Sequence, residues 1–205
     1  MLFKGRSRPV IGLDITTSSV KLIELSRSGD GYRVESYAAE PSPPNAINEK
    51  AIVDSQAVGD AVRRAVKRAG ARSKDCAVAI SGDAAITKVI QMPRNLREGE
   101  LEAQVEMQAD QYIPFPMEEV SFDFEVVGPS EKDPEMLDVL LVATRSENVE
   151  QRQASVQAAG LTARIVDVEA FALENACRLL THQMPDGGMD RNIAVIDFGA
   201  SSTTF

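Results

Sequence analysis

The chain has 205 residues, with 22 Lys+Arg against 31 Asp+Glu, one His, two Cys and no Trp. A chain of this length buries roughly 70% of the surface its unfolded form exposes, so it needs no disulfide or metal staple. A hydrophobic share of 43% and a charged share of 26% exclude a disordered chain, and a net charge of −9 excludes a general nucleic-acid binder, whose footprint is a basic face.

Residues 1–8 carry three bases and no apolar run, so they form no secretory signal. No stretch approaches the ~20 apolar residues of a membrane span. A cytoplasmic home is expected. Pro9 to Ile15 then reads as a buried strand ending near Asp14, and Thr16-Thr17-Ser18-Ser19 as a hydroxyl-rich turn. Val20 to Ser26 and Tyr32 to Ala39 are two more strands, joined by a hairpin signal at Ser28-Gly29-Asp30-Gly31. The chain thus opens with three antiparallel strands. Three prolines in Glu40 to Asn48 close that unit.

Asp54 is placed to cap a helix running to Ala69. Val58, Val62, Ala65 and Ala69 form its apolar stripe, Arg63, Arg64, Lys67 and Arg68 its wet face, and Gly70 its stop. Cys76 to Ser81 and Ile86 to Met92 read as two strands around a Gly82-Asp83 turn. A second helix is expected over Glu98 to Tyr112, with Leu101, Val105, Gln108 and Tyr112 on one stripe. From Glu98 to Glu125 there are nine acids and no base: a solvated acidic face, or a docking surface for a basic partner. Ile113-Pro114-Phe115-Pro116 breaks the helix.

Phe122 to Val127 and Leu137 to Thr144 are strands, Ser146 caps a helix to Ala159, and Gly160 ends it. Thr162 to Val168 is a strand, Glu169 to Leu180 an apolar helix, Met184 to Arg191 a flexible loop, and Ile193 to Phe198 a buried strand. This last run stops in mid-pattern at Phe205, which gives the expectation that the chain is the front part of something longer. Cys76 and Cys177 fit no metal-ligand spacing and are expected to be buried reduced thiols. His182, in a polar loop, is expected in solvent.

Two segments share one design. Val10-Ile11-Gly12-Leu13-Asp14-Ile15 leads into the turn Thr16-Thr17-Ser18-Ser19, and Ile193-Ala194-Val195-Ile196-Asp197-Phe198 leads into Gly199-Ala200-Ser201-Ser202-Thr203. Each turn can aim backbone N–H groups and hydroxyls at an anion. Each Asp stands at a strand end, where it can hold Mg²⁺ directly or through water. One such turn is an ordinary hairpin feature; two of them bracketing an insert make a phosphate clamp.

These turns resemble the two phosphate loops of the actin, sugar kinase and heat-shock-70 ATPase superfamily, and Ile165 to Leu173 resembles its first connecting helix. The position of the insert resembles FtsA. Gly12-Leu13-Asp14 with Ser18-Ser19-Val20-Lys21-Leu22, Gln111-Tyr112-Ile113-Pro114-Phe115-Pro116 and Phe122-Asp123-Phe124 resemble the PilM family of type IV pilus assembly proteins. The resemblance implies an α/β, ribonuclease-H-like fold with mixed sheets. Residues 1–39 and 161–192 would be the first core subdomain, 40–160 an FtsA-type insert, and 193–205 the start of a second core domain mostly missing here. It implies a cytoplasmic scaffold for pilus assembly and twitching motility that binds ATP with Mg²⁺ and holds the N-terminal cytoplasmic tail of PilN. Membrane contact would be indirect, through PilN.

Asp14 and Asp197 would be the Mg²⁺-associated carboxylates. Thr16, Thr17, Ser18, Ser19 and Lys21 would form the first phosphate loop, and Gly199, Ser201, Ser202 and Thr203 the second. Further pilus inner-membrane and motor components, and self-association, are also implied as partners. With the adenosine motif lying beyond the second loop, the 205 residues are expected to bind ATP weakly. Tyr112, Ile113, Phe115 and Phe122 offer apolar walls, and the Glu98–Glu125 acids a rim, for a peptide groove; the same aromatics also suit the insert's own core. Two alternatives stay open: an FtsA-like division scaffold, and an active ATPase or phosphotransferase of the same fold. The net charge disfavours a ribonuclease-H-like nuclease.

Overall fold

A computed structural model describes residues 9–29, 31–49, 51–189, 192–201 and 203–204. In chain order the strands and helices are β1 (Ile11–Ile15), β2 (Ser19–Ser28), β3 (Gly31–Pro41), β4 (Ile47–Asn48), β5 (Ala51–Ile52), α1 (Ser55–Ala69), β6 (Asp75–Ile80), β7 (Ala85–Pro93), α2 (Glu98–Ala109), β8 (Val120–Pro129), β9 (Met136–Arg145), α3 (Ser146–Ala158), β10 (Thr162–Val168), α4 (Glu169–Arg178), β11 (Asp197–Phe198) and β12 (Thr203–Thr204). They divide into two compact units, one of residues 1–81 with 150–205 and one of residues 82–149.

The larger unit is built on a five-stranded sheet of order β10-β6-β1-β2-β3. β1, β2 and β3 are antiparallel, as their hairpin signals predict, while β6 runs parallel to both β1 and β10. Alternation along β1 and β2 buries Ile11, Leu13, Ile15, Val20 and Leu22. α1 covers that face, with Val58, Ala61, Val62 and Ala65 wholly buried. Its ends are set as the residues predict. The Asp54 carboxylate accepts from the Ala57 N–H at 2.9 Å. Gly70 takes φ +64°, a left-handed conformation that favours glycine.

The smaller unit is a three-stranded antiparallel sheet, order β7-β9-β8, with α2 against one face. Leu101, Val105 and Ala109 of α2 pack with Ile90, Met92, Val139, Leu141 and Ala143. The helix stops three residues short of Tyr112, so Ala109 takes the place on the buried stripe that the sequence pattern assigns to Gln108 and Tyr112. The cause is local: Pro114 disfavours a helical Ile113, and the Tyr112 and Ile113 N–H groups close a turn on the Ala109 carbonyl at 2.9 and 3.0 Å.

Several expectations differ from the structure. The two strands around a turn at Gly82 are found, as β6 and β7 flanking a single 3₁₀ turn at Gly82–Ala84, but they lie in different sheets. An insert over 40–160 is longer than the smaller compact unit, because α1 and β6 belong to the larger unit's core. The run Ile193 to Phe198 is not a buried strand. Only Asp197 and Phe198 are strand, paired with the two residues of β12, and so short a ribbon shields little: Phe198 is 79% exposed. Cys76 is buried and free as expected, but Cys177 is only partly buried, since α4 has no buried residue among those described. Within Met184 to Arg191, expected as a flexible loop, Pro185–Gly188 forms a 3₁₀ turn, and Asp190 and Arg191 lie outside the described residues. His182 is exposed.

Candidate functional site

The first turn is closed by hydroxyls. The Thr16 N–H and Oγ1 both donate to the Ser19 carbonyl at 3.0 Å, and the Ser19 N–H returns a bond to Thr16 Oγ1 at 3.2 Å. Ser42 ties the turn down from outside, its Oγ donating to the Thr16 carbonyl at 2.6 Å and its N–H to the Ser18 carbonyl at 3.1 Å. Positive φ among the described non-glycine residues is confined to Asn45, Glu49 and Asp186, so β-branched Thr16 is unstrained. The Thr16 hydroxyl is engaged within the turn, whereas Thr17 points to the second turn.

The two turns meet. Thr17 Oγ1 donates to Ser201 Oγ at 3.1 Å across 184 residues of sequence. Lys21 Nζ donates to Asp14 Oδ2 at 2.9 Å, and both side chains are about half exposed. The Asp14 carboxylate, through the hydrogen bond and then through its charge, holds the Lys21 ammonium above its usual range; burial opposes this, and Tyr37 and Asp197 add to the rise. Lys21 therefore sits in the field of both strand-end carboxylates. Gly199 and Thr203 are exposed beside Ser201, and Ser202 lies outside the described residues. One cation and two accessible hydroxyls could donate to a polyphosphate, whereas the two carboxylates would repel it unless a cation stood between them. Among the described residues no group of three His, Cys, Asp or Glu could hold a metal ion. With Lys21 on Asp14 Oδ2, a Mg²⁺ held through water and by phosphates would leave that pair intact.

Sequence reasoning missed one member of this neighbourhood. Arg152 of α3 is 4% exposed, and its Nε–H donates to the Ala79 carbonyl of β6 at 2.7 Å. Burial pulls its guanidinium down from its usual range, and attraction to Glu169 and Asp14 works against that. A signal was present: Arg152 stands three residues after Val149 and four before Val156, on the stripe that packs inward.

The expected groove residues lie in the smaller unit and separate into two kinds. Ile113 is buried in that unit's core, and Phe115 and Phe122 pack partly buried against it. Tyr112 is 40% exposed, with Lys88 Nζ 5.5 Å from its ring centroid. The Arg145 guanidinium lies 5.3 Å from the Phe115 ring and also pairs with Glu119 at 3.6 Å and Glu147 at 3.3 Å. The Tyr-Ile-Pro-Phe-Pro segment is thus a corner that fills a core and presents one ring edge outward.

Residues 12–205 match the family described as type IV pilus assembly protein PilM. The chain belongs to the PilM family. A solved structure described as the PilM-PilN type IV pilus biogenesis complex is similar to it at 30% identity and a TM-score of 0.81, over 97% of this chain and 57% of that one. The chain thus spans a little over half the length of that PilM-type relative. The cytoplasmic domain of EpsL, an inner membrane component of the type II secretion system of Vibrio cholerae, shares the fold at 13% identity and a TM-score of 0.51, over 80% of this chain and 58% of that one. The fold is of the α/β class with mixed sheets, as the resemblance implied. No helix among the described residues is long and apolar enough to cross a membrane.

Proposed function

We propose that this PilM-family chain is a scaffold of type IV pilus assembly that docks the N-terminal cytoplasmic tail of PilN. The observation that carries the reading is the 30% identity over 97% of the chain to a protein solved as a PilM-PilN complex. The expected surface is the exposed edge of Tyr112 with the acids between Glu98 and Glu125, which suits a peptide of apolar residues and a basic end. Ile113, Phe115 and Phe122 support that surface from within. A labelled PilN-tail peptide titrated against the chain tests this. Tyr112→Ala, whose ring is half in solvent, should weaken binding about tenfold with little change in stability, as an exposed aromatic anchor does. Unchanged binding in both Tyr112→Ala and Phe115→Ala, with the fold intact, would overturn the placement.

The facing turns support a second part of the reading: Lys21, Thr17, Ser201 and the backbone around Gly199 contribute phosphate contacts for ATP, with Mg²⁺ near Asp14 and Asp197 through water. Bound there, Mg²⁺ would neutralise phosphate charge. Residues 1–205 alone are expected to bind ATP weakly, and a micromolar affinity by calorimetry would contradict that. We place the protein in the cytoplasm at the inner membrane face, held there through PilN.

A further inference from the structure

The charge of the chain is unevenly distributed. Residues 82–149 contain five Lys+Arg against fifteen Asp+Glu, while residues 1–81 with 150–205 contain seventeen against sixteen. The whole net charge of −9 is therefore accounted for by the smaller unit, and the larger one is close to neutral. Within the larger unit, six of the 22 bases fall in twelve residues: Arg63, Arg64, Lys67, Arg68, Arg72 and Lys74. α1 cannot turn these inward. Its opposite stripe is wholly buried against the sheet, so its four bases are all exposed.

Three of the six are engaged in the fold. Arg64 and Arg68 share the Glu40 carboxylate, at 3.8 and 2.7 Å, and Arg63 holds Asp60 at 2.6 Å. Lys67, Arg72 and Lys74 are exposed and enter none of the ion pairs found among the described residues. Residues 54–88 also contain no exposed large apolar side chain among those described. Protein–protein interfaces draw their affinity from a desolvated apolar centre with aromatic or Arg anchors. A bilayer surface rich in anionic headgroups needs only clustered Lys and Arg within a Debye length.

We propose that the outer face of α1, continued through Lys74, rests on an anionic lipid surface. Lys67, Arg72 and Lys74 supply the uncommitted charge, and the ion-paired arginines add a polar, guanidinium-rich floor. Such contact is weak alone and gains effect when a membrane-anchored partner keeps the protein close. The proposal does not depend on the PilN reading, because vesicles without PilN test it.

The experiment is co-sedimentation of the 205-residue chain with vesicles of phosphatidylglycerol and phosphatidylcholine, against vesicles of phosphatidylcholine alone, at low and high salt. Binding is expected only with phosphatidylglycerol and should fall as salt rises. At about fivefold per basic residue near the surface, the triple variant Lys67→Gln, Arg72→Gln, Lys74→Gln should lose about a hundredfold in partition coefficient. Among the described residues none of the three enters an ion pair, so the variant's circular dichroism and melting should match the parent. The proposal falls if the parent ignores phosphatidylglycerol vesicles at low salt, or if the folded triple variant binds as the parent does. Vesicle-independent, salt-sensitive self-association that the triple variant loses would overturn it too, assigning the face to the acidic 98–125 stretch of a second copy.

Discussion

Gly59 offers the sharpest test of how the larger unit is packed. It lies in the middle of α1 and is buried. A Cβ added there would stand 2.5 Å from Ala158 Cβ and 2.7 Å from the Ser155 carbonyl of α3. Neither neighbour is the end of a flexible side chain, so α1 and α3 would have to part by about 1 Å to restore normal carbon contact. Two effects oppose each other in Gly59→Ala. Replacing a mid-helix glycine by alanine is worth about 1 kcal/mol in favour of folding. Overpacking a well-filled contact costs about 1–3 kcal/mol, and a gap of this size forfeits a quarter to a half of each dispersion contact it opens. With two contacts under 3.0 Å the cost falls at the upper end of that range, about 2–3 kcal/mol, so the clash wins for a net loss of about 1–2 kcal/mol. For a chain of this size that lowers Tm by roughly 2–8 °C. Gly99→Ala is the control: Gly99 is in α2 with nothing within 4 Å of its added Cβ, so the same change should leave stability equal or raised by up to about 1 kcal/mol. Urea titration followed by circular dichroism reads both variants. If Gly59→Ala is as stable as the parent or more so, the close crossing of α1 and α3 is wrong.

Three further outcomes are expected. Arg152→Leu should cost about 2–3 kcal/mol in urea unfolding, because the Ala79 carbonyl loses its buried donor and Asp14 and Glu169 lose a compensating charge; an equal stability would mean that the guanidinium is dispensable. Burial pushes the Cys76 thiol from 9.0 up to about 11, so a disulfide reagent at pH 8 should label Cys177 and leave Cys76 until the protein unfolds. The sign of the linkage follows: with its folded pKa raised, Cys76 contributes stability that is present below about pH 9 and lost as pH climbs through about 11, and a Cys76→Ala variant should lack that alkaline fall. Lys21→Met should change stability by less than about 1 kcal/mol, because its pair with Asp14 is half exposed. If the turns bind phosphate as proposed, the same substitution in a longer, ATP-binding form should weaken ATP much more than it weakens the fold, which calorimetry beside a thermal melt would separate.

Much of this protein was legible one segment at a time, where neighbours in sequence are neighbours in space. The alternation of Ile11, Leu13, Ile15, Val20 and Leu22, the hairpin at Gly29, and the Asp54 and Gly70 ends of α1 follow from local geometry. The likeness of the two hydroxyl-rich turns was also visible, because each is a short run of residue types. That they meet was implied only by the resemblance, not by either run of residues. The Thr17–Ser201 bond joins residues 184 apart, and only the placement of β1 and the β11–β12 ribbon decides it. The same holds for β6. Its run of alternating residues fits a hairpin with β7 as well as a central parallel strand, and long-range pairing with β1 and β10 chose the latter. Tyr112, Ile113, Phe115 and Phe122 show the limit most plainly. An aromatic cluster around a proline turn reads alike whether it builds a core or a groove, and burial, a property of the folded chain alone, put three of the four inward and left one ring at the surface. Composition determined the net charge, but only the division into two compact units placed its acidic excess in one and a basic helix face in the other.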